Sequence, residues 1–205
     1  MKIAIIGAGK VGSTLAYTLL ERGVNEITLF DVRTDYLDGV RMDLQSAFPF
    51  ARVKTEGMLE DFDVVVMTAG FPRTPEMKNR DELFTANKKI IIDVFAGKEF
   101  ARKTKIIVVT NPADKLTKYV AELTRLSKEN VIEFGNQLDS NRLKYLTKEQ
   151  NAYVTGGHNE EMKLHCKAKG MDSKLRGFSS EIIKKSGGTI FGPAKAIADL
   201  IESLH

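Results

Sequence analysis

Three polar side chains in the last third of the sequence have the types that proton transfer requires. His158 lies in the glycine-rich stretch "GGHNEE", and Asp139 and Arg142 lie three residues apart in "LDSNR". A histidine that exchanges protons needs an acid to fix its tautomer and stabilise its cation, and Asp139 can supply that acid. Arg142 can then bind a carboxylate through its guanidinium fork. On a helix, however, Asp139 and Arg142 share a face and can pair with each other, and a lone histidine in such a turn is more often structural.

Two arginines in "FPRTPEMKNR" could bind an anionic substrate. Arg73 and Arg80 follow the apolar run "VVVMTAG", at the sheet edge where open α/β folds bind ligands. Guanidinium groups keep their charge and match carboxylates in a bidentate manner. A solvated basic loop explains these two residues equally well when they are considered alone.

The stretch "GAGKVG" has the glycine spacing of a dinucleotide-binding loop. Gly7, Gly9 and Gly12 follow the first apolar run and open a helical pattern. The first glycine permits a tight turn, the second lets the backbone approach a pyrophosphate, and the third allows close packing of helix and strand. Asp31 ends the next apolar run, where a carboxylate accepts the ribose hydroxyls of NAD and repels the 2′-phosphate of NADP. The sequence therefore predicts NAD, although Arg33 nearby weakens the exclusion of NADP.

Short runs rich in Ile and Val alternate with amphipathic stretches over the first two-thirds of the chain. The runs cover residues 2–7, 26–31, 64–70, 105–111 and 131–135. Continuous apolar runs are typical of parallel strands buried on both faces. The stretches "KVGSTLAYTLLERG", "DELFTANKKIIIDVFAGKEFARK" and "PADKLTKYVAELTRLS" predict helices between them. We expect an α/β fold with a doubly wound parallel Rossmann sheet in residues 1–135, and a second, catalytic domain in 136–205 that ends in the helix of "FGPAKAIADLIESL".

Composition argues against several other classes of protein. The net charge is +4 and the pI is near 9.0, but acidic residues interrupt the basic cluster near the C-terminus. This favours solvated helix faces over a nucleic-acid surface. No apolar run reaches bilayer-spanning length and no leader pattern precedes the first strand, so we expect a cytoplasmic protein. Cys166 stands alone, and a metal site from His158, Glu161, His165 and Cys166 matches no established ligand spacing, so no metal is predicted.

The motifs occur in the same order as in the NAD-dependent lactate and malate dehydrogenases. The matching stretches are "GAGKVG", the strand-end Asp31, "TAGFPRTP", "VTNPAD", "GNQLDSNR", "GGH" and "GGTIFGPA". The resemblance covers nearly the whole chain, which is most similar to the archaeal malate dehydrogenases. It implies hydride transfer between NAD and C2 of a small 2-hydroxy dicarboxylate, a step of the tricarboxylic acid cycle.

The resemblance also implies a role for each motif residue. His158 would exchange the hydroxyl proton, Asp139 would stabilise its cation, and Arg80 would polarise the carbonyl. The substrate would be bound by Arg73, Arg142, Asn111 and Thr189. Among these, Arg73 would select a second carboxylate and hence malate over lactate. Cofactor contacts would come from Gly7, Gly9, Lys10, Val11, Gly12, Asp31, Thr68, Ala69, Gly70, Asn87 and Asn111.

The sequence departs from the family pattern at three places. The loop "PEMKNR" lacks a Gly after the Pro and has one more residue before Arg80, which can displace that guanidinium and leaves Lys78 as a substitute cation. The segment between Asp139 and His158 is shorter than in the family, and Asn159 replaces a Gly. After the helix of "FGPAKAIADLIESL" the family continues with an antiparallel sheet and a terminal helix. We therefore expect a shortened substrate domain and a less enclosed site.

These departures leave two main hypotheses for the function. One is an active malate dehydrogenase of reduced size, and the other is an NAD-binding module with little or no turnover. A nucleotide-linked regulator is a weaker third reading. We also expect a homodimer, because uncovered apolar surface favours association and the helix matching "LDGVRMDLQSAF" packs against its counterpart in family dimers.

Overall fold

The structure is a computed structural model that describes residues 1–72, 80–157 and 161–204. The chain divides into two compact units. Unit 1 is Met1–Glu133 and unit 2 is Phe134–His205. The assignment of residues 1–135 to cofactor binding and of 136–205 to the substrate was made from sequence alone. Substrate binding by unit 2 stays a prediction.

Unit 1 is built around a parallel sheet. Within its described residues, six strands lie in the order β3-β2-β1-β4-β5-β6, and all neighbouring strands are parallel. The strands are β1 (Ile3–Ile6), β2 (Glu26–Phe30), β3 (Arg52–Lys54), β4 (Val64–Met67), β5 (Lys105–Val108) and β6 (Val131–Glu133). The chain order reverses between β1 and β4. The carboxyl ends of these strands therefore form the edge at which open α/β sheets bind ligands.

Helices connect these strands and bury both faces of the sheet. They are α1 (Lys10–Glu21), α2 (Thr34–Ala47), α3 (Arg80–Phe95) and α4 (Ala113–Thr124). Every residue of β1 and β4 is buried, which explains why these strands are apolar throughout instead of alternating. On one face, Val65 and Ile106 belong to a core that also contains Ile91 of α3 and Leu116 of α4.

Within its described residues, unit 2 combines three helices with two short strands, which together with the residues between them are called the hairpin. Its elements are α5 (Asn136–Thr147), β7 (Tyr153–Thr155), β8 (Lys163–His165), α6 (Met171–Ser186) and α7 (Phe191–Glu202). The two strands are antiparallel, with Tyr153 opposite His165. A small core joins α5, the hairpin and α6 through Leu143, Ala152, Val154, Met162 and Leu175.

The predicted α/β class and doubly wound parallel sheet are confirmed, and the five predicted strands are present with shorter bounds. The predicted helix over 81–103 was too long, because α3 ends at Phe95 and Gly97 adopts a positive φ of 74°, where a helix cannot continue. The strand β3 was missed, since only Val53 of its three residues is buried. The helix α6 was also missed, because only Leu175 marks its buried face.

Candidate active site

The turn between β1 and α1 depends on two glycines for different steric reasons. Gly7 has φ of +95°, and a Cβ placed on it would lie 2.6 Å from the backbone nitrogen of Ala69. Gly12 lies in the first turn of α1, where a Cβ would lie 1.9 Å from the carbonyl oxygen of Gly7. Any larger side chain at either position would push the loop away from the strand ends.

Gly9 differs from these two because nothing lies within 4 Å of the position that its Cβ would occupy. It is the N-cap of α1, and no side chain caps the helix. Lys10 and Val11 follow in the first turn, and the first N–H groups of a helix attract anions. An open approach to these N–H groups fits a pyrophosphate.

Asp31 lies directly after β2, beside the same turn. Its Oδ2 accepts a hydrogen bond from the backbone N–H of Ala8 at 3.0 Å. The Arg33 guanidinium pairs with both carboxylate oxygens, with Nε to Oδ1 and Nη2 to Oδ2 distances of 2.9 Å each. The hydrogen bond from the Arg33 side chain is the main reason that the pKa of Asp31 is lowered, against the opposing effect of burial. Asp31 therefore presents an ionised carboxylate, fixed by hydrogen bonds, at the position where the sequence predicts the ribose.

Two threonine hydroxyls hold the carboxyl ends of the strands together. The Thr68 hydroxyl lies 2.9 Å from the carbonyl oxygen of Ile6 and 2.8 Å from that of Gly7. The Thr110 hydroxyl donates to the carbonyl oxygen of Ala69 at 2.7 Å. A Cβ on Gly70 would lie 2.4 Å from the Thr110 methyl group, so that this stretch follows a path available only to glycine.

Asn87 of α3 is fully buried and links two loops at this edge. Its Oδ1 accepts the N–H of Phe71 at 2.7 Å, and its Nδ2 donates to the carbonyl oxygen of Asn111 at 2.7 Å. Asn87 thus positions the backbone at Asn111, and Asn111 itself is exposed. Direct contact of Asn87 or Asn111 with a cofactor stays a prediction.

In unit 2, Asp139 and Arg142 form a buried ion pair on α5. Arg142 Nη1 lies 3.1 Å from Asp139 Oδ1, and the side chains are 7% and 4% exposed, respectively. Burial lowers the pKa of Arg142, and the neighbouring Asp139 opposes that change only in part. Asp139 and Arg142 therefore pair with each other, which is one of the two arrangements expected from the sequence. Their roles toward the histidine and the substrate stay predictions.

Arg142 and Thr189 line one cleft of about 460 Å³ within unit 2. Leu138, Tyr145, Phe178 and Phe191 provide apolar walls for the same cleft. An arginine and a threonine that line the same apolar cleft are suited to a small carboxylate, because apolar walls strengthen charged hydrogen bonds. The structure thus brings together two of the four predicted substrate residues.

Polar side chains on α5 also hold the hairpin that leads to the predicted histidine. Asn136 Nδ2 donates to the carbonyl oxygen of Gly156 at 2.5 Å, and Ser140 Oγ accepts the N–H of Val154 at 2.9 Å. Gly156 has φ of +88°, and a Cβ there would lie 2.2 Å from the carbonyl oxygen of Glu161. The glycine preceding the "GH" pair is therefore required by a close backbone approach.

Four residues named from the sequence lie outside the described residues. His158 and Arg73 lie outside the described residues, as do Lys78 and Asn159, and Arg80 is the first residue of α3. Sequence reasoning missed Thr110, Asn136 and Ser140. The last two have the i, i+4 spacing of one helix face in "GNQLDSNR", which could have indicated a shared partner.

The histidine and cysteine side chains of the hairpin region do not form a metal site among the described residues. Among the described residues, no group of three or more His, Cys, Asp or Glu side chains could hold a metal ion. His165 stacks on Tyr153 with a centroid separation of 4.3 Å, and Cys166 donates to the carbonyl oxygen of Ala168. Over that same part of the chain, no helix has the length and apolar character needed to cross a membrane.

A glycine turn at the switch point of a parallel sheet, with an acid at the end of β2, defines a dinucleotide-binding α/β protein. Residues 1–133 match the family described as lactate/malate dehydrogenase, NAD binding domain. The chain belongs to the lactate/malate dehydrogenase family, as its motifs predicted. NAD as the cofactor is confirmed, and the protein is a dehydrogenase-like oxidoreductase.

Individual relatives agree with this assignment. The malate dehydrogenase of Archaeoglobus fulgidus is 36% identical over 229 residues, which cover 100% of this chain and 77% of that protein. The malate dehydrogenase of Sulfolobus acidocaldarius is 32% identical, with 100% of this chain and 76% of that protein covered. Among solved structures, A. fulgidus malate dehydrogenase in complex with NADH matches with a TM-score of 0.83 and 33% identity over 99% of this chain and 77% of that one. The apo enzyme of Picrophilus torridus matches with a TM-score of 0.84 and 30% identity, covering 98% and 75% of the two chains.

Proposed function

We propose that this protein interconverts malate and oxaloacetate with NAD(H). The observation that carries the proposal is the cleft of unit 2, whose lining includes the buried Arg142, Thr189 and several apolar side chains. A buried guanidinium that keeps its charge and can form two parallel hydrogen bonds favours a carboxylate. The names of the relatives, which are malate dehydrogenases, support a dicarboxylate as the substrate.

The proposed roles divide the work between proton transfer and anion binding. NAD, when bound, accepts or returns a hydride at its nicotinamide ring. His158 takes the hydroxyl proton in oxidation and returns it in reduction, while Asp139 stabilises the imidazolium. Arg142 binds the C1 carboxylate, and Arg80 polarises the carbonyl where negative charge develops.

Arg73 is proposed to select the second carboxylate of the substrate. It lies in the segment between β4 and α3, whose preceding residues Thr68, Ala69 and Gly70 are fixed at the sheet edge. In this proposal Arg73 and Arg80 close over the substrate and exclude water, which strengthens each charged contact. Arg73→Gln should then lower activity on oxaloacetate more than on pyruvate.

The competing proposal is an NAD-binding module without turnover. It is favoured by the rim of the unit 2 cleft, where Tyr145 is 61% exposed and Phe191 is 79% exposed. A cleft with such exposed walls admits water, and water weakens the electrostatic contacts that catalysis uses. NADH binding without substrate turnover is the outcome that this proposal expects.

The deciding experiment is NADH oxidation measured by absorbance with oxaloacetate and, in parallel, with pyruvate. The dehydrogenase proposal expects faster turnover of oxaloacetate than of pyruvate. In His158→Ala the rate with oxaloacetate should fall by a factor on the order of 10² or more. His165→Ala is the matched control, because that histidine stacks on Tyr153 in the hairpin, and it should retain activity. Fluorescence titration that shows NADH binding, combined with no oxidation of NADH by either substrate, would establish the binding module instead.

We also propose that the protein associates as a homodimer through α2. Tyr36 and Met42 of this helix are 41% and 58% exposed, and Phe50, just after it, is fully exposed. Exposed apolar side chains grouped on one helix favour a self-complementary interface. Sedimentation should give the mass of a dimer at micromolar concentration, and Met42→Lys should convert it to a monomer.

A further inference from the structure

The carboxylate at the end of β2 is already occupied by two backbone donors and one guanidinium. Asp31 accepts the N–H of Ala8 at Oδ2 and the N–H of Arg33 at Oδ1, both at 3.0 Å. The Arg33 fork adds two parallel hydrogen bonds of 2.9 Å. If the fork moves away, the two backbone donors still hold the carboxylate. The guanidinium is therefore the exchangeable partner of Asp31.

Arg33 is placed so that an exchange of this kind requires little rearrangement. Its side chain is 56% exposed, whereas that of Asp31 is 7% exposed. The guanidinium carbon lies 4.1 Å from the centroid of the Tyr36 ring. Tyr36 thus supports the flat face of the Arg33 guanidinium through a cation–π contact, while the N–H edge of the guanidinium faces the Asp31 carboxylate.

This arrangement has opposite consequences for the two forms of the dinucleotide. A free ribose 2′-hydroxyl would donate to Asp31, but the Arg33 fork already uses both carboxylate oxygens. NAD must therefore compete with Arg33 for the acid. A 2′-phosphate would meet a carboxylate whose charge is neutralised by Nε and Nη2 of Arg33. Nη1 and the second N–H of Nη2 are not used in that pair, and together they can bind the phosphate in a bidentate manner. Both effects shift the preference toward the phosphorylated nucleotide.

We propose that Arg33 is a cofactor-specificity residue that admits a 2′-phosphate, so that the protein binds NADP(H) as well as NAD(H). The strand-end acid alone would exclude NADP(H). With Arg33 present, NADPH binds within about tenfold of NADH, because hydrogen bonds between charged groups offset the repulsion from Asp31.

The test is a fluorescence titration with NADH and with NADPH in the absence of any dicarboxylate. Arg33→Ala should lower the affinity for NADPH on the order of 30-fold or more, while the affinity for NADH changes by less than about threefold or increases. Arg33→Lys should retain part of the NADPH affinity, because it keeps the charge but loses the fork. Arg52→Ala is the control, since Arg52 of β3 is 74% exposed and pairs with Glu26 of β2, and it should leave both affinities unchanged.

The outcomes separate this inference from the proposed reaction, because binding is measured without turnover. Exclusion of NADPH by a factor of about 10³ or more in the unaltered protein would overturn the proposal. Equal loss of both nucleotides in Arg33→Ala would overturn it as well, because Arg33 would then support the loop instead of the 2′-phosphate. Failure to turn over malate would leave the binding ratios, and hence this conclusion, in place.

Discussion

The two units form their candidate sites by different means. In unit 1 the site is a property of the backbone, since Gly7 and Gly12 permit a turn that would clash with any Cβ. In unit 2 it is a property of charged side chains, since Asp139 and Arg142 are held by burial and by each other. Cofactor binding should therefore respond to small steric changes, whereas the chemistry should respond to the loss of single charges.

The largest effect should follow from adding one methyl group to the glycine turn. Gly12→Ala places a Cβ 1.9 Å from the Gly7 carbonyl oxygen, so α1 must move away from β1. We expect NADH affinity to fall on the order of a hundredfold or more, since hydrogen bonds from backbone N–H groups to the charged pyrophosphate contribute about 1.5–3 kcal/mol each and the shift would break them. Fluorescence titration with NADH measures this loss.

Gly177→Ala is the matched control for that variant. Gly177 also lies within a helix, α6, but nothing lies within 4 Å of the position of its Cβ. Replacing an exposed helical glycine by alanine raises the free energy of unfolding by about 0.5–1 kcal/mol. Equal NADH affinities in Gly12→Ala and the unaltered protein would contradict the steric account of unit 1.

The next effect concerns the stability that the buried pair gives to unit 2. Asp139→Ala leaves Arg142 charged and buried without this partner, so the free energy of unfolding should fall by about 3–5 kcal/mol. Asp172→Ala is the matched control, because Asp172 pairs with Arg176 on the exposed surface of α6 and should cost less than about 1 kcal/mol. Urea unfolding followed by circular dichroism gives both values.

A double variant sharpens this comparison. If the pair acts as a unit, Asp139→Ala with Arg142→Ala should lose less than the sum of the two single variants. Strict additivity would mean that the 3.1 Å contact contributes little, and that burial of each residue acts independently.

The smallest effect is the acid sensitivity of unit 1. The pKa of Asp31 is lowered in the folded protein, chiefly by the hydrogen bond from Arg33. A group with a lowered folded pKa contributes stability above its unfolded pKa of about 3.9, and this contribution is lost as the pH falls through the folded value. Between about pH 5 and about pH 3, the unaltered protein should therefore lose more stability than Arg33→Ala. The measurement is urea unfolding of both proteins at the two pH values. An equal decrease in the free energy of unfolding for the unaltered protein and for Arg33→Ala would contradict this assignment.

The sequence was a good guide to unit 1 because its constraints are periodic and local. Continuous apolar runs predicted the central strands, and the spacing of Gly7, Gly9 and Gly12 predicted the turn. The roles of Thr110 and Asn87 could not be predicted in this way, since both act on backbone groups that are distant in sequence.

Unit 2 was less predictable, because its elements are short and its core is small. The strands β7 and β8 have three residues each, and α6 buries a single residue, Leu175. The spacing of Asp139 and Arg142 predicted a shared helix face, but it could not distinguish a mutual pair from two independent roles. That distinction depends on burial, which is set by the packing of the whole unit.

The most direct test of the division between the two units is Asp139→Asn, measured for NADH affinity and for oxaloacetate reduction in the same preparation. Asparagine keeps the shape of the side chain but cannot stabilise an imidazolium, so kcat should fall on the order of 10² or more while NADH affinity stays within about threefold. A fall in NADH affinity that parallels the fall in kcat, or an unchanged kcat, would contradict the account.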